Sequence, residues 1–269
     1  MRIVILGSGT GIPVKHRGYA GIYVRVGGEH LLLDAGPGTL RQLTGVGVTY
    51  RDLDRLFVTH FHPDHCLDLV SILFAMRIPE PAVGSPSAAD TSSAARMVPP
   101  RSRTKPLTIY GPRGLRRLLR HLNTAFHGWI QPRTYRLTLK ELGQTALPFR
   151  GYTVRTRAMR HSTNALGYRL EAKGKCVVYS GDTDVCESIV QLGRNADLLI
   201  VECSMPDEHK VAGHLTPTDC GQIAAAAHCR HLALTHFYPV FHGYDIRRRV
   251  RRSFRGRLTL VRDFQCFQL

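Results

Sequence analysis

The residues best able to do chemistry in this sequence are three histidines and an aspartate grouped in one short segment. His60, His62, Asp64 and His65 directly follow an apolar, strand-like run. Alternate residues of an extended chain point to the same side, so His60 and His62 can converge on one point while Asp64 and His65 turn toward a second. A loop of solvated histidines is the alternative. The segment favours two neighbouring metal positions served by one loop.

Three residues elsewhere in the chain could complete a ligand set. His161, Asp182 and His236 each follow a strand-like run and precede a turn. A single histidine or aspartate at a strand end caps a loop more often than it binds a metal, so the prediction depends on their occurring together with the first segment. Imidazole nitrogens supplemented by carboxylates favour zinc, although manganese or iron would accept the same ligands.

The elements that must position these residues can be read from hydrophobic spacing. Short apolar runs separated by glycine turns predict strands at Ile3–Leu6, Gly21–Val26 and His30–Leu33. The i, i+3, i+4 spacing of apolar residues predicts a helix over Leu67–Met76. The histidine-rich segment therefore lies on a loop between a strand and a helix.

The rest of the chain repeats this alternation of strands and helices. Apolar runs predict further strands at Leu107–Tyr110, Tyr152–Arg157, Ala165–Ala172, Cys176–Tyr179, Leu198–Glu202 and His231–Leu234. Helices are expected from Arg113 to about Phe126, after a Gly111-Pro112 turn, and from Thr218 to about His228, with Thr216 or Thr218 as the cap. Strands grouped in both halves, each closed by helices, predict two sheets between helical layers.

We expect one domain over residues 1–269, because this length suits a single mixed α/β unit. Residues 78–106 are rich in proline, serine, alanine and arginine and lack the apolar content that orders a long loop, so this segment is expected to be mobile. No signal peptide or membrane-spanning run is evident, which predicts a soluble cytoplasmic protein. The seven cysteines form no C-x-x-C pair and are expected to be reduced.

The net charge of +17 comes chiefly from arginine and suits a polyanionic partner. Two clusters could contact a phosphate backbone: residues 247–257, and the helix that carries Arg113, Arg116, Arg117 and Arg120. The alternative for each cluster is a solvated helix face. His242 and Tyr244 either line the substrate pocket or belong to an ordinary loop.

In these motifs the sequence resembles the metallo-β-lactamase superfamily, and within it the ribonuclease Z-like branch. The resemblance covers nearly the whole chain and rests on segments that occur in order: Gly7-Ser-Gly-Thr-Gly, Asp34-Ala-Gly-Pro-Gly, His60 to His65, His161, Tyr179-Ser-Gly-Asp182-Thr, Glu202, His214-Leu-Thr and Leu234-Thr-His236-Phe. It implies an α/β (α+β) four-layer αββα sandwich, the metallo-β-lactamase fold, with two metals at one edge.

The resemblance also implies how the ligands divide between the two ions. One ion would be held by His60, His62 and His161. The other ion would be held by Asp64, His65 and His236. Asp182 would bridge the two ions.

The activity implied is that of a phosphodiesterase, a ribonuclease Z-like endoribonuclease that attacks with metal-bound hydroxide. Asp64 would combine metal ligation with proton handling. His214 would protonate the leaving 3′ oxygen, and Glu202 would orient His214. The alternative for this pair is an ordinary loop histidine and an unrelated acid.

Two other functions stay open at this point. The same metal pair could hydrolyse a small ester, lactone, thioester or cyclic phosphodiester. A non-enzymatic nucleic-acid-binding protein is the third reading.

The expected partners are RNA or a small phosphodiester, with no membrane. A homodimer is suggested only by the family. The long glycine- and proline-rich arm with which tRNA-processing ribonuclease Z enzymes grip their substrate is not apparent in this sequence. The resemblance therefore leaves open whether tRNA is processed.

Overall fold

The computed structural model of the protein describes residues 1–79, 102–241 and 243–269. The strands in these ranges are β1 (Arg2–Gly7), β2 (Gly21–Val26), β3 (Glu29–Leu33), β4 (Arg55–Phe57), β5 (Leu107–Pro112), β6 (Leu137–Leu142), β7 (Thr145–Phe149), β8 (Tyr152–Ala158), β9 (Leu166–Ala172), β10 (Lys175–Tyr179), β11 (Leu198–Glu202), β12 (His231–Thr235), β13 (Arg257–Leu260) and β14 (Cys266–Gln268). The helices are α1 (Thr39–Thr44), α2 (Pro63–Cys66), α3 (Asp68–Arg77), α4 (Leu115–Ala125), α5 (Glu187–Gly193), α6 (Pro217–Ala226) and α7 (Ile246–Val250). Two 3₁₀ turns span Asp207–His209 and Pro239–Phe241.

The strands form two seven-stranded sheets, one from each half of the chain apart from the last strand. The first sheet has the order β14-β1-β2-β3-β4-β5-β6, and the second has the order β13-β12-β11-β10-β9-β8-β7. Strands β3 to β6 pair in parallel in the first sheet, and β10 to β13 pair in parallel in the second. Parallel strands bring their carboxyl ends to one edge, so the loops that follow β3, β4, β10, β11 and β12 emerge on the same side of their sheets.

Three hydrophobic clusters fill the spaces between the layers. The cluster between the sheets includes Ile5, Phe57 and Tyr168. A second cluster packs α1, α3 and α4 against the first sheet, and a third packs α5, α6 and α7 against the second sheet. The fold is therefore the four-layer αββα sandwich that the sequence predicted.

Most predicted elements are confirmed within a residue or two, and the differences have local causes. Strand β5 continues through Gly111 and Pro112, where a turn was predicted, because β6 pairs with both residues. Helix α4 begins at Leu115 rather than at Arg113, since Gly114 precedes it in a left-handed conformation with φ of 102°. The sequence analysis missed β6, β7, β13 and β14, which are the edge strands of the two sheets. In β6 and β13 apolar residues are interspersed with polar ones, Pro148 interrupts β7, and β14 has three residues.

Most of the segment predicted to be mobile, residues 80–101, lies outside the described residues. Near the end of that segment, Arg103 is buried and donates hydrogen bonds to the carbonyl oxygens of Arg51, Leu53 and Pro106. These bonds fix residues 103–106 to the loop that precedes β4.

Two expectations about the whole chain can be compared with the described residues. All seven cysteines are free thiols, and five of them are buried. Across the described ranges, no helix has the length and apolar character needed to cross a membrane.

The second sheet holds the end of β4, where the histidine-rich segment begins. The Tyr168 hydroxyl of β9 is fully buried and donates to the carbonyl oxygen of Val58 at 2.6 Å. The amide of Leu166 donates to the carbonyl oxygen of Thr59 at 2.9 Å. These two bonds set the point from which His60 leaves the sheet.

We expect Tyr168→Phe to lower the free energy of unfolding by about 1–3 kcal/mol, because the buried carbonyl of Val58 loses its donor. Urea denaturation followed by circular dichroism would measure the change. The matched control is Tyr135→Phe, since the buried Tyr135 hydroxyl has no hydrogen-bond partner among the described residues. Equal losses in the two variants would contradict the role given to Tyr168.

Candidate metal centre

Seven side chains meet where the carboxyl ends of the two sheets face each other. They are the seven that the sequence suggested as ligands: His60, His62, Asp64, His65, His161, Asp182 and His236. Among the described residues, three groups of potential ligand atoms form, and within each group the atoms lie within 4.8 Å of one another. His60, His62, His161 and Asp182 make the first group, and Asp64, His65 and His236 make the second. The third group, Asp182, His214 and His236, shares two of its members with the first two.

Asp182 lies between the first two groups, with one carboxylate oxygen toward each. Its Oδ1 is 3.2 Å from Nε2 of His65 and 3.5 Å from Nε2 of His236. Its Oδ2 is 3.9 Å from Nε2 of His60 and 3.8 Å from Nε2 of His161. A carboxylate in this orientation can contact a cation in either group.

The loop after β4 supplies residues to both groups, as the alternating pattern indicated. Nδ1 of His62 lies 3.1 Å from Nε2 of His161, on the first group's side. Oδ2 of Asp64 lies 3.4 Å from Nε2 of His236, on the second group's side. His60 and His65 are buried, whereas His62 is exposed at the rim.

Four of the histidines are held by their Nδ1 atoms in a way that turns Nε2 toward the centre. His161 donates from Nδ1 to the carbonyl oxygen of Gly213 at 2.8 Å, and His65 donates to Asp34 at 2.8 Å. Nδ1 of His60 lies 3.0 Å from the hydroxyl oxygen of Thr59, which itself donates to Asp34. A ring that donates from Nδ1 leaves the lone pair of Nε2 available to a metal.

Ser204 holds the fourth of these histidines, His236, by its Nδ1 atom. Its hydroxyl donates to Glu202 in a short hydrogen bond, so its oxygen accepts from Nδ1 of His236 at 3.0 Å. His236 adopts φ of 60°, in the left-handed region that few residues other than glycine adopt. The sequence analysis did not identify Ser204, because an isolated serine carries no signal of its own.

Asp34 is the carboxylate on which the second group depends. Beyond the bond from His65, it accepts hydrogen bonds from the amide and the hydroxyl of Thr59 at 2.7 and 2.8 Å and from the hydroxyl of Tyr179 at 2.9 Å. Thr59 follows a strand of the first sheet, and Tyr179 ends a strand of the second. Asp34 therefore joins the two sheets directly beside the metal ligands.

The electrostatics of the cluster suit a cation. Burial alone would lower the pKa of His65, but the carboxylates of Asp182 and Asp34 outweigh it and hold the pKa well above its usual value. Burial and the neighbouring His65 keep the pKa of His60 well below the usual value, so His60 is neutral. Burial would raise the pKa of Asp182, yet His236 and His65 hold it well below the usual value. The site thus combines a neutral His60 with carboxylates that attract positive charge, which is a proton on His65 in the metal-free protein and would be the metal ion when it is bound.

Two buried atoms in the cluster have no hydrogen-bond partner among the described residues. They are Nε2 of His60 and Oδ1 of Asp182. Leaving such groups unpaired is costly, whereas a divalent cation would satisfy both. The imidazole and carboxylate donors also match the ligands that divalent metals bind. The residues therefore fit divalent metal ions.

His214 and Glu202 form a pair next to the cluster. The buried Glu202 carboxylate accepts from Nδ1 of His214 at 3.0 Å and from the amides of Thr183 and Leu215. Burial would lower the pKa of His214, but the hydrogen bond to Glu202 outweighs it and raises the pKa above its usual value. The proximity of His214 to Asp182, 3.9 Å away, brings an acid–base group to the edge of the metal site.

A set of polar contacts that the sequence analysis missed fixes the loop that carries His214. Asp184 accepts from the amide of Gly213 at 3.0 Å and from Nζ of Lys210 at 2.8 Å. Lys210 also contacts Asp219 in the first turn of α6 at 2.6 Å. These contacts lower the pKa of Asp184 to about 2 despite the opposing effect of burial. The loop is thereby fixed against His161, whose Nδ1 contacts Gly213.

Of the two residues considered for the substrate pocket, only Tyr244 is among the described residues, and it is not part of the cluster. His242 lies outside the described residues. The Tyr244 hydroxyl donates to Glu208 at 2.9 Å and accepts from the amide of Asp207 at 3.1 Å, which ties its loop to a neighbouring 3₁₀ turn. Tyr244 thus agrees with the alternative of an ordinary structured loop.

Comparison with known proteins agrees with the fold. A family model described as "Beta-lactamase superfamily domain" matches residues 29–237. A Ribonuclease Z from Streptomyces avermitilis is 30% identical over 306 residues, covering 97% of this chain and 95% of that protein.

Two solved structures resemble the whole chain. The metallo-beta-lactamase fold protein YhfI from Bacillus subtilis has a TM-score of 0.78 at 23% identity and covers 99% of both chains. Human tRNase Z, short form (ELAC1), has a TM-score of 0.76 at 23% identity and covers 100% of this chain and 99% of the other. At this identity the two structures support the fold.

We expect Asp34→Asn to weaken metal binding by about 10- to 100-fold, because an amide offers one acceptor oxygen where four donors now converge and it no longer fixes the His65 ring. Competition with a chromogenic chelator would measure the affinity. Asp197→Asn is the matched control, since Asp197 accepts from the amide of Cys176 at the opposite end of the second sheet. An unchanged metal affinity in Asp34→Asn would contradict this role.

Proposed function

The chain belongs to the beta-lactamase superfamily as a ribonuclease Z-like, metal-dependent hydrolase, and from that premise we propose that it hydrolyses phosphodiester bonds of RNA. The observation that carries the proposal is the His214–Glu202 pair beside the metal ligands. Alkoxide leaving groups of RNA need a proton, whereas many small activated esters do not. An acid held at the edge of the metal site therefore suits phosphodiester cleavage.

We propose zinc as the metal, because imidazole and carboxylate donors in this proportion are typical of zinc sites, although manganese and iron(II) accept the same donors. His60, His62 and His161 would hold one ion, Asp64, His65 and His236 the other, and Asp182 would contact both. A pair of divalent cations would supply an activated water at neutral pH and would neutralise negative charge on the phosphodiester.

The protein's own residues would handle the protons. His214 keeps its Nδ1–H directed to Glu202, so a second proton on Nε2 makes the ring an imidazolium that this carboxylate stabilises. Its raised pKa keeps a larger fraction protonated near neutral pH, which suits donation to the leaving 3′ oxygen. Asp64 is 16% exposed, the most accessible carboxylate of the cluster, and would receive a proton from the attacking water.

Ser204 and Asp184 would act as positioning residues in this reaction. Ser204 connects Glu202 with His236, so the orientations of the acid pair and of a metal ligand are linked. Asp184 fixes the backbone at Gly213, next to His214. The catalytic groups would therefore keep their geometry without rearranging during the reaction.

We expect the purified protein to bind a pair of divalent ions and to cleave both bis-p-nitrophenyl phosphate and a structured RNA. Asp182→Ala should bind less metal and cleave neither substrate, because both ligand groups lose their shared carboxylate. Elemental analysis and product assays would measure this, with Asp52→Ala as the control, since Asp52 lies in the loop at the opposite end of β4. Metal binding without cleavage of either substrate would favour a small ester, lactone or thioester as the substrate. No metal binding after reconstitution would refute the mechanism.

We expect His214→Ala to slow RNA cleavage by about 10²- to 10⁴-fold, the range for loss of a general acid. Cleavage of bis-p-nitrophenyl phosphate should fall much less, because p-nitrophenolate leaves without a proton. His209→Ala is the matched control, an exposed histidine in the same loop. Equal losses on both substrates would argue that His214 binds metal or maintains structure instead.

Self-association stays a prediction from the family. Light scattering coupled to size-exclusion chromatography would distinguish a homodimer from a monomer.

A further inference from the structure

A groove of about 550 Å³ opens directly beside the metal ligands. One wall is the loop of His60 and His62, and a second wall is the loop that follows His161. The third wall is the start of α4 together with the residues that lead into it. The groove is therefore the continuation of the candidate metal centre along the protein surface.

The third wall presents a row of three nitrogen-bearing side chains to this groove. Arg113, Arg117 and His121 line it. Arg117 and His121 are four residues apart on one face of α4, whereas Arg113 precedes the helix, just before Gly114. None of the described residues that line the groove is acidic.

The lining of the groove is partly apolar. It includes Phe61, Pro112 and Leu118, and the Phe61 ring lies against the start of α4, where a Cβ on Gly114 would come within 3.3 Å of it. From the loop after His161, the Asn164 side chain donates to the carbonyl oxygen of Arg113 at 3.4 Å. The lining thus combines arginine side chains with apolar ones.

The other arginines of the same helix have different surroundings. Arg116 donates to the carbonyl oxygen of Leu139, and its amide donates to Glu141, so it belongs to the contact between α4 and β6. Arg120 is exposed and does not line the groove. Of the four arginines in or just before α4, Arg113 and Arg117 therefore line the groove.

Several arginines of residues 247–257 are likewise engaged in contacts within the protein. Arg249 pairs with Asp207 and Glu208, and Arg251 donates to the carbonyl oxygens of Phe254 and Gly256. These contacts favour a structural role for both arginines. Arg113 and Arg117, which line the groove with His60 and His62, are better placed to meet a substrate at the metal site.

We propose that this groove binds the single-stranded RNA next to the scissile phosphate, with Arg113 and Arg117 contacting backbone phosphates. The proposal rests on the proposed function, since it assigns the path of the substrate away from the metals. Guanidinium groups pair with phosphate oxygens in bidentate hydrogen bonds, and an aromatic surface accepts an unpaired base. The groove's volume of about 550 Å³ lies in the range of pockets that hold small organic ligands, a class that includes single nucleotides.

Fluorescence anisotropy of a short labelled single-stranded RNA on the metal-loaded protein, measured at increasing salt, tests the proposal. Each lost phosphate contact on a single strand should reduce the slope of log Kd against log salt by about 0.7. The double variant Arg113→Ala/Arg117→Ala should therefore lose about 1.4 of this slope and bind more weakly at low salt. Arg113→Lys/Arg117→Lys should retain the slope, because the charges remain.

The matched control is Arg120→Ala, which removes a charge from the same helix outside the groove and should keep the wild-type slope. If the slope fell equally in Arg120→Ala and in the double variant, the effect would come from total positive charge and the proposal would be wrong. An unchanged slope in the double variant would also overturn the proposal. Binding of an acidic peptide with the same arginine dependence, without binding of RNA, would replace RNA by a protein partner and would also overturn it.

Cleavage measured on the same samples separates this proposal from the proposed function. If the wild type cleaves RNA and the double variant keeps the slope, the proposed RNA binding in the groove is wrong and the proposed function stands. RNA binding that depends on the two arginines, without cleavage by any variant, supports the groove and contradicts the proposed phosphodiesterase. A wild type that neither binds nor cleaves RNA overturns both.

Discussion

The convergence of hydrogen bonds on Asp34 is the interaction on which the metal centre depends. Four donors from three residues share this one buried carboxylate. Asp34 follows β3 in the first sheet and is itself held at φ of 57°, a conformation that aspartate tolerates better than most residues. Because Tyr179 ends a strand of the second sheet, the same carboxylate both joins the sheets and orients His65. The stability of the sandwich edge and the geometry of the ligands are therefore coupled.

A second constraint follows from gathering so many polar groups away from water. Nε2 of His60 and Oδ1 of Asp182 are buried without a partner among the described residues, which opposes folding unless a cation compensates them. Metal binding then contributes to the stability of the folded state as well as to chemistry. Hydrogen bonds at Nδ1 orient the ligands in advance, so the cost of arranging them is met by the surrounding fold.

The arginines that give the chain its positive charge have different roles in the structure. Arg103 and Arg251 donate to backbone carbonyl oxygens, and Arg249 pairs with acidic neighbours. Arg113 and Arg117 instead line an open groove that begins at the metal ligands. A net charge of +17 is thus a poor guide to a binding surface until each charge has a position.

The sequence by itself determined the alternation of strands and helices, and it suggested the seven ligands, because apolar spacing and the grouping of His60 to His65 are local properties. It could not identify Ser204, Asp184 or Lys210, whose importance comes from partners distant in the chain. It missed the edge strands β6, β7, β13 and β14, because they are short, mix apolar with polar residues or contain a proline. Only the tertiary structure decided which arginines face the site and how Asp182 turns its two oxygens, since both depend on the packing of two sheets and the loops between them.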